Sequence, residues 1–183
     1  MTKQEAKDGA MRWMDEATVN GHAVAAAEQA DFRDRMNYMI GGVIAELGAQ
    51  FPLTGTVCSD GSRCAIPLPP DCRRVLGAMR TEDGLPADTA VRYGMLTGLP
   101  KEPVTVIYER RPVIPAPDAP DGTVLDCAPE AEVLVPLKLA SDLLIGTIDR
   151  AATGGYLNSR YSEMLRQLAG LRGDAPIAAV YAG

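Results

Sequence analysis

An α+β fold, with helical hairpins at both ends and a small antiparallel β subdomain inserted between them, follows from three features of this 183-residue chain. Phe32, Met36, Met39, Ile40, Val43, Ile44 and Leu47 fall on one face of a helix for more than four turns, the cleanest periodicity present. The character then changes at Phe51, after which the prolines and glycines concentrate and short β-branched runs alternate with turn signals. Two more apolar helical patterns close the chain over residues 129–171, which brings the main helices to about four.

The elements read in order as follows. Thr2 with Glu5 is a capping-box pattern that starts a helix at Lys3, and Ala6, Ala10, Trp13, Met14 and Ala17 carry it to a turn at Asn20-Gly21. Residues 23–30 have helix propensity without a stripe, so Asp31 is the expected N-cap of the long helix behind it. Gly41-Gly42 costs that helix about 1 kcal/mol per Gly relative to Ala, as a local weakness or as a place where another backbone comes close. Residues 54–68 read as a hairpin turning at Asp60-Gly61, Leu68-Pro69-Pro70-Asp71 as a stiff bend, 73–80 as a strand, 81–86 as a turn and 89–96 as another strand. Val104-Thr105-Val106-Ile107-Tyr108 is the strongest strand signal. Residues 112–120 carry four prolines and read as an extended loop, with a short last strand at 123–126.

Val133, Leu134, Leu137, Ala140, Leu144 and Ile148 mark the first closing helix, with Pro136 kinking it or sitting in its first turn. Gly154-Gly155 reads as the break between the two, with a start of the second helix ahead of these glycines as the alternative, and the stripe of the second is Leu157, Tyr161, Met164, Leu165 and Leu168. The expected divisions are 1–53, helical; 54–127, the β-rich insert; 128–171, a helical hairpin in one domain with 1–53; and 172–183, an extended C-terminal arm.

The chemistry-bearing residues are sparse. The net charge of −6 and pI near 4.8 argue against broad binding to a phosphate backbone. His22 is the sole histidine, and neither a G-x-S-x-G elbow nor a phosphate-binding G-x-x-x-x-G-K-[ST] loop occurs. Cys58, Cys64, Cys72 and Cys127 lack metal-ligand spacing and read as small buried residues, although Cys58 and Cys64 are placed to face each other across the expected hairpin. No catalytic residue, cofactor or metal is expected, and the chain reads as a non-enzyme. Residues 1–8 are polar and charged, unlike a secretory leader, and no stretch approaches the roughly 18 apolar residues of a membrane span. Lys138, on an apolar helix, reads as snorkelling to solvent.

Three features point to partners instead. Arg73-Arg74 and Arg110-Arg111 lie on strands, where neighbours face opposite ways, so neither doublet makes a patch. Arg73 and Arg110 are candidates for pairing with a carboxylate of an adjacent subunit, with plain solubility the competing reading. The apolar tail at 175–183, through Pro176, Ile177, Val180 and Tyr181, invites strand addition to another chain or packs on its own domain. Arg172-Gly173-Asp174 spells an adhesion tripeptide by coincidence.

The chain resembles the head–tail adaptor (connector) proteins of tailed bacteriophages, nearly end to end through loose motifs. Trp13-Met14-Asp15-Glu16-Ala17, Asn20-Gly21 and Ala30-Asp31-Phe32 before a long helix are similar to their opening. Ile66-Pro67-Leu68-Pro69-Pro70-Asp71 is similar to their bend before a β segment, and Val104 to Pro112 to the strand leading out of it. Pro129-Glu130-Ala131-Glu132, Leu134-Val135-Pro136-Leu137 and Ala140-Ser141 resemble the start of their closing hairpin, and Tyr161, Met164 and Leu165 its returning helix. Gly41-Gly42 and Gly154-Gly155 depart from the pattern.

The resemblance implies a structural virion protein at the head–tail junction, made in the bacterial cytoplasm. It implies a homo-oligomeric ring, a dodecamer in the family, docked beneath the portal protein and presenting a surface to a stopper or tail protein. Genomic DNA would pass through without specific binding, no membrane would be involved, and the terminal arm would grip a neighbour. The alternatives are another neck or tail-completion protein (stopper or tail terminator), or a small thiol- or metal-dependent enzyme using Cys58, Cys64 or Cys72.

Overall fold

The computed structural model describes residues 1–16 and 26–172. Among the described residues the fold is α+β, with four α-helices and two small antiparallel sheets of three strands each. Contacts divide the chain into two compact units, Met1–Phe51 with Val113–Gly183, and Pro52–Pro112. The β unit is thus an insert, as expected, but it closes at Pro112 instead of at residue 127.

In the helical unit, α1 (Lys3–Glu16) opens with the capping box. The Glu5 N–H donates to Thr2 Oγ1 (3.2 Å), and the Thr2 N–H donates to Glu5 Oε2 (2.7 Å). The helix α2 (Ala26–Gln50) begins five residues before Asp31, which is therefore an exposed interior residue and no N-cap. The alanine-rich run ahead of it carries the helix back without a stripe of its own. Of the seven stripe residues all but Met39 are buried. Asn20-Gly21 and His22 lie outside the described residues.

The helix α3 (Leu134–Ile145) is the hub of this unit. It packs on α1, α2 and α4 (Ala151–Arg172), and nine of its twelve residues are buried. Pro136 sits in its first turn, where no intrahelical donor is lost, and a Cβ at Gly9 of α1 would lie 2.8 Å from the proline Cβ. The expected face does not reach Ile148, because α3 stops at Ile145 and Ile148 stands 94% exposed in the 3-10 turn Ile148–Arg150.

The break between the closing helices is that turn, and α4 runs straight through Gly154-Gly155. The reason is steric. A Cβ at Gly154 would lie 2.8 Å from both Leu144 C and Ile145 Cγ1, so this glycine lets two helices cross closely, and the buried Ser141 hydroxyl donates to its carbonyl (3.3 Å). Gly41 has a related role, since its Cβ would meet Ile114 Cγ2 at 2.9 Å, whereas Gly42 and Gly155 face open space.

Residues 113–127 complete the helical unit. The expected strand at 123–126 is a single bridge, Thr2 to Val124. Around it the Leu125 N–H donates to Met1 O (3.0 Å), and the Lys3 N–H to Thr123 O (2.9 Å).

The β unit holds β1 (Leu53–Ser59), β2 (Ala65–Pro67), β3 (Cys72–Arg80), β4 (Ala90–Arg92), β5 (Met95–Thr97) and β6 (Val104–Arg110). One sheet has the order β1-β6-β3 and the other β2-β5-β4, all antiparallel. The strongest strand signal thus occupies a central position, β6. Buried Ala78, Leu96, Leu99, Val104 and Val106, with Val57, Ile66, Leu68, Val75 and Ala87 packed against them, form one core shared by both sheets.

The hairpin expected at Asp60-Gly61 does not form. The turn is present, with Ser62 N–H donating to Asp60 Oδ1 (2.8 Å), but it sends the chain from one sheet to the other, so β1 pairs with β6 and β2 with β5. Residues 89–96 likewise form no single strand. Tyr93 (φ 53°) and Gly94 (φ 73°) make a two-residue turn with positive φ at both positions, splitting the run into the β4–β5 hairpin.

Candidate protein–protein interfaces

Among the described residues no group of three or more His, Cys, Asp or Glu side chains is placed to hold a metal ion, and no helix is long and apolar enough to cross a membrane. All four cysteines are free. Cys58 stands opposite Thr105 and not opposite Cys64, and both Cys58 and Cys64 are exposed instead of buried: Cys58 shares the exposed face of β1 with Thr54 and Thr56, and Cys64 lies just before β2 begins. Cys127 is partly buried, and burial, aided by the Glu132 carboxylate, pushes its thiol up to about 11, further from the reactive thiolate.

The arginine doublets come out differently from the sequence expectation. Antiparallel pairing of β3 with β6 sets Cys72 opposite Arg110 and Arg74 opposite Glu109, with a register shift at Arg73. The Arg111 N–H donates to Asp71 O (2.8 Å). All four arginines therefore gather at one end of one sheet, which two isolated doublets in the sequence do not reveal. Arg74 is tied to Glu109 (2.5 Å). Arg110 is half-buried, whereas Arg73 and Arg111 are exposed and make no ion pair among the described residues. Pro176, Ile177, Val180 and Tyr181 lie outside the described residues.

The helical unit holds a cleft of about 600 Å³ between α1, α2 and residues 117–121. Two lysines close its floor. Lys3, 1% exposed, donates from Nζ to Pro117 O (2.7 Å) and Ala119 O (2.8 Å), and Lys7, 4% exposed, reaches Asn37 Oδ1 (3.1 Å) and Asp121. A buried ammonium is tolerated only when its donors are taken, and here they fasten the proline-rich segment to α1. On the wall, Arg33 donates to Asp8 (2.6 Å). Burial pushes the Asp8 carboxyl up, but hydrogen bonds from Arg33 and Gln4 outweigh it and hold the group below the usual carboxylate range. Asp34 and Asp118 are exposed on the same cleft and make no ion pair among the described residues.

A third polar group links α2, α3 and α4. The Tyr161 hydroxyl donates to Glu46 (2.8 Å), Lys138 pairs with Asp142 (3.0 Å) and Glu46 (3.6 Å), and the Lys138 ammonium lies 5.2 Å from the Tyr161 ring centre. Lys138 is thus held by named partners and does not simply snorkel. Burial and the Glu46 hydrogen bond raise the Tyr161 pKa well above its ordinary value.

The apolar stripe of α4 outlasts its covering. Leu157 and Tyr161 are buried, Met164, Leu165 and Leu168 are half-buried, and Leu171 is 79% exposed. With 22 residues against the 12 of α3, α4 is longer by about 15 Å at 1.5 Å per residue. The chain matches no protein-family model and no curated protein.

Proposed function

We propose that this chain is a structural virion protein, a head–tail adaptor that assembles into a ring beneath the portal, extends the DNA channel and offers a docking surface to a stopper or tail protein. The observation that carries the reading is the partly covered apolar stripe of α4, which ends on the exposed Leu171. Four apolar side chains at helical spacing, Met164, Leu165, Leu168 and Leu171, continue past the core on a helix that outlasts α3. Burying such a face is worth about 25 cal/mol per Å² of apolar surface, and a neighbouring subunit supplies the cover. The uneven distribution of charge favours the same reading, because a closed ring needs two different surfaces that fit each other.

Native mass spectrometry and negative-stain microscopy test it, with the chain alone and mixed with a portal ring. A closed ring, a dodecamer by family resemblance, is expected in at least one of the two samples. A chain that stays monomeric in both overturns the proposal.

A further inference from the structure

We propose that the arginine-bearing end of the β unit docks into the cleft between α1, α2 and residues 117–121 of a second copy of this chain. The inference rests on the ring reading and adds to it which two surfaces meet.

Both surfaces carry charge that their own unit leaves uncompensated. At the sheet end, Arg74 is paired with Glu109, and Arg73 and Arg111 project unpaired among the described residues. At the cleft, every lining cation is engaged: Lys3 by two carbonyls, Lys7 by Asp121, and Arg33 by Asp8. Lys7–Asp121 and Arg33–Asp8 cancel, and the Lys3 ammonium, held by neutral carbonyls, keeps its charge, so the unpaired carboxylates of Asp34 and Asp118 leave the cleft net negative by one. A guanidinium offers a planar fork of donors that suits such carboxylates, and a space of about 600 Å³ admits an arginine side chain with room to spare.

The whole sequence divides the same way. Eight of the 18 Lys and Arg and seven of the 24 Asp and Glu fall in residues 52–112, a net of +1, which leaves −7 for the rest. Two helical units at −7 each repel, whereas a helical unit and a nearly neutral, arginine-tipped β unit do not, which favours copies meeting head to tail over face to same face. Head-to-tail contacts are the kind that close into rings. A nucleic-acid backbone is the other polyanion that an arginine cluster suits, but a chain of net charge −6 works against it.

The test uses the full chain and four samples: wild type, R73E/R111E, D34K/D118K and an equimolar mixture of the two variants. Sedimentation velocity reads association, and circular dichroism melting checks folding. R73Q/R111Q is a milder variant should the reversed charges disturb the sheet. Each reversal is expected to weaken association at least tenfold, and the mixture, whose charges complement again, is expected to recover it. Rings that form equally well from both variants overturn this inference and leave the ring reading standing. A wild type that remains monomeric at millimolar concentration and with a portal ring removes both. Retention of duplex DNA that R73E/R111E abolishes, with self-association unchanged, makes the cluster a phosphate site and overturns the inference too.

Discussion

Gly154 and Gly155 are neighbours in α4 with opposite consequences. Any side chain at Gly154 meets the backbone of Leu144 and Ile145, so Gly154→Ala is expected to destabilise the fold by about 3 kcal/mol through overpacking. Gly155 faces open space, and Gly155→Ala is expected to stabilise by about 0.5–1 kcal/mol through helix propensity. Chemical denaturation of both variants reads the contrast, and equal effects would refute the close crossing. As letters the two glycines are alike and read together as a helix break; the helix backbone that presses on one of them lies across a turn and is invisible locally. The cysteines differ by the same logic. Cys58 and Cys64 are exposed, while the Cys127 thiol is half-hidden and pushed up to about 11. In the folded chain at pH 8, Cys58 and Cys64 are expected to react with iodoacetamide first and Cys127 at least tenfold more slowly, as peptide mass spectrometry would show.

At the scale of elements, the features legible in advance were those that depend on neighbours three or four residues away. The α2 stripe, the capping box at Thr2 and Glu5, and the β-branched run that became β6 carry their own signals. Strand partners do not, because pairing is decided across tens of residues; Asp60-Gly61 makes a sound turn but joins two different sheets. The arginine cluster is not legible in the sequence for the same reason, since only the β3–β6 register brings the doublets together.

The fastening of residues 117–121 to α1 is equally non-local and has a testable strength. Lys3→Met keeps the apolar stem but leaves the Pro117 and Ala119 carbonyls without their donor, at a cost of about 2 kcal/mol. Limited proteolysis is expected to cut near residues 117–121 faster in that variant. In the α2–α3–α4 group, the folded pKa of Tyr161 is raised, so its contribution is full below the unfolded value of about 10 and is lost as pH climbs from there through the folded value. Tyr161→Phe is therefore expected to cost about 1 kcal/mol at pH 7 and to flatten the alkaline loss of stability above pH 10. Stability measured by denaturation across pH 8–12 checks this, and parallel alkaline slopes for both proteins would count against it.

For the whole molecule, the consequence of having two different charged surfaces is arithmetic. If copies join through these two surfaces, each subunit uses its arginine end once and its cleft once, and removing either is expected to leave a chain that accepts one neighbour only. Neutral substitutions separate this arrangement from a symmetric one. R73Q/R111Q retains the cleft and D34N/D118N retains the arginine end, so an equimolar mixture has one sound contact per pair and no way to extend it. The expected product is a heterodimer of one copy of each variant, with neither variant forming rings alone. The charge-reversed mixture differs, because its second contact is rebuilt with the signs exchanged, and it is expected to grow past the dimer. Raising the salt from about 0.1 M to 1 M shortens the screening length from about 10 Å to 3 Å, and should dissolve the heterodimer before it affects folding. Native mass spectrometry of the two mixtures distinguishes the geometries. A symmetric dimer formed by either neutralised variant alone would show that copies meet through one self-complementary surface, and the head-to-tail arrangement would be excluded.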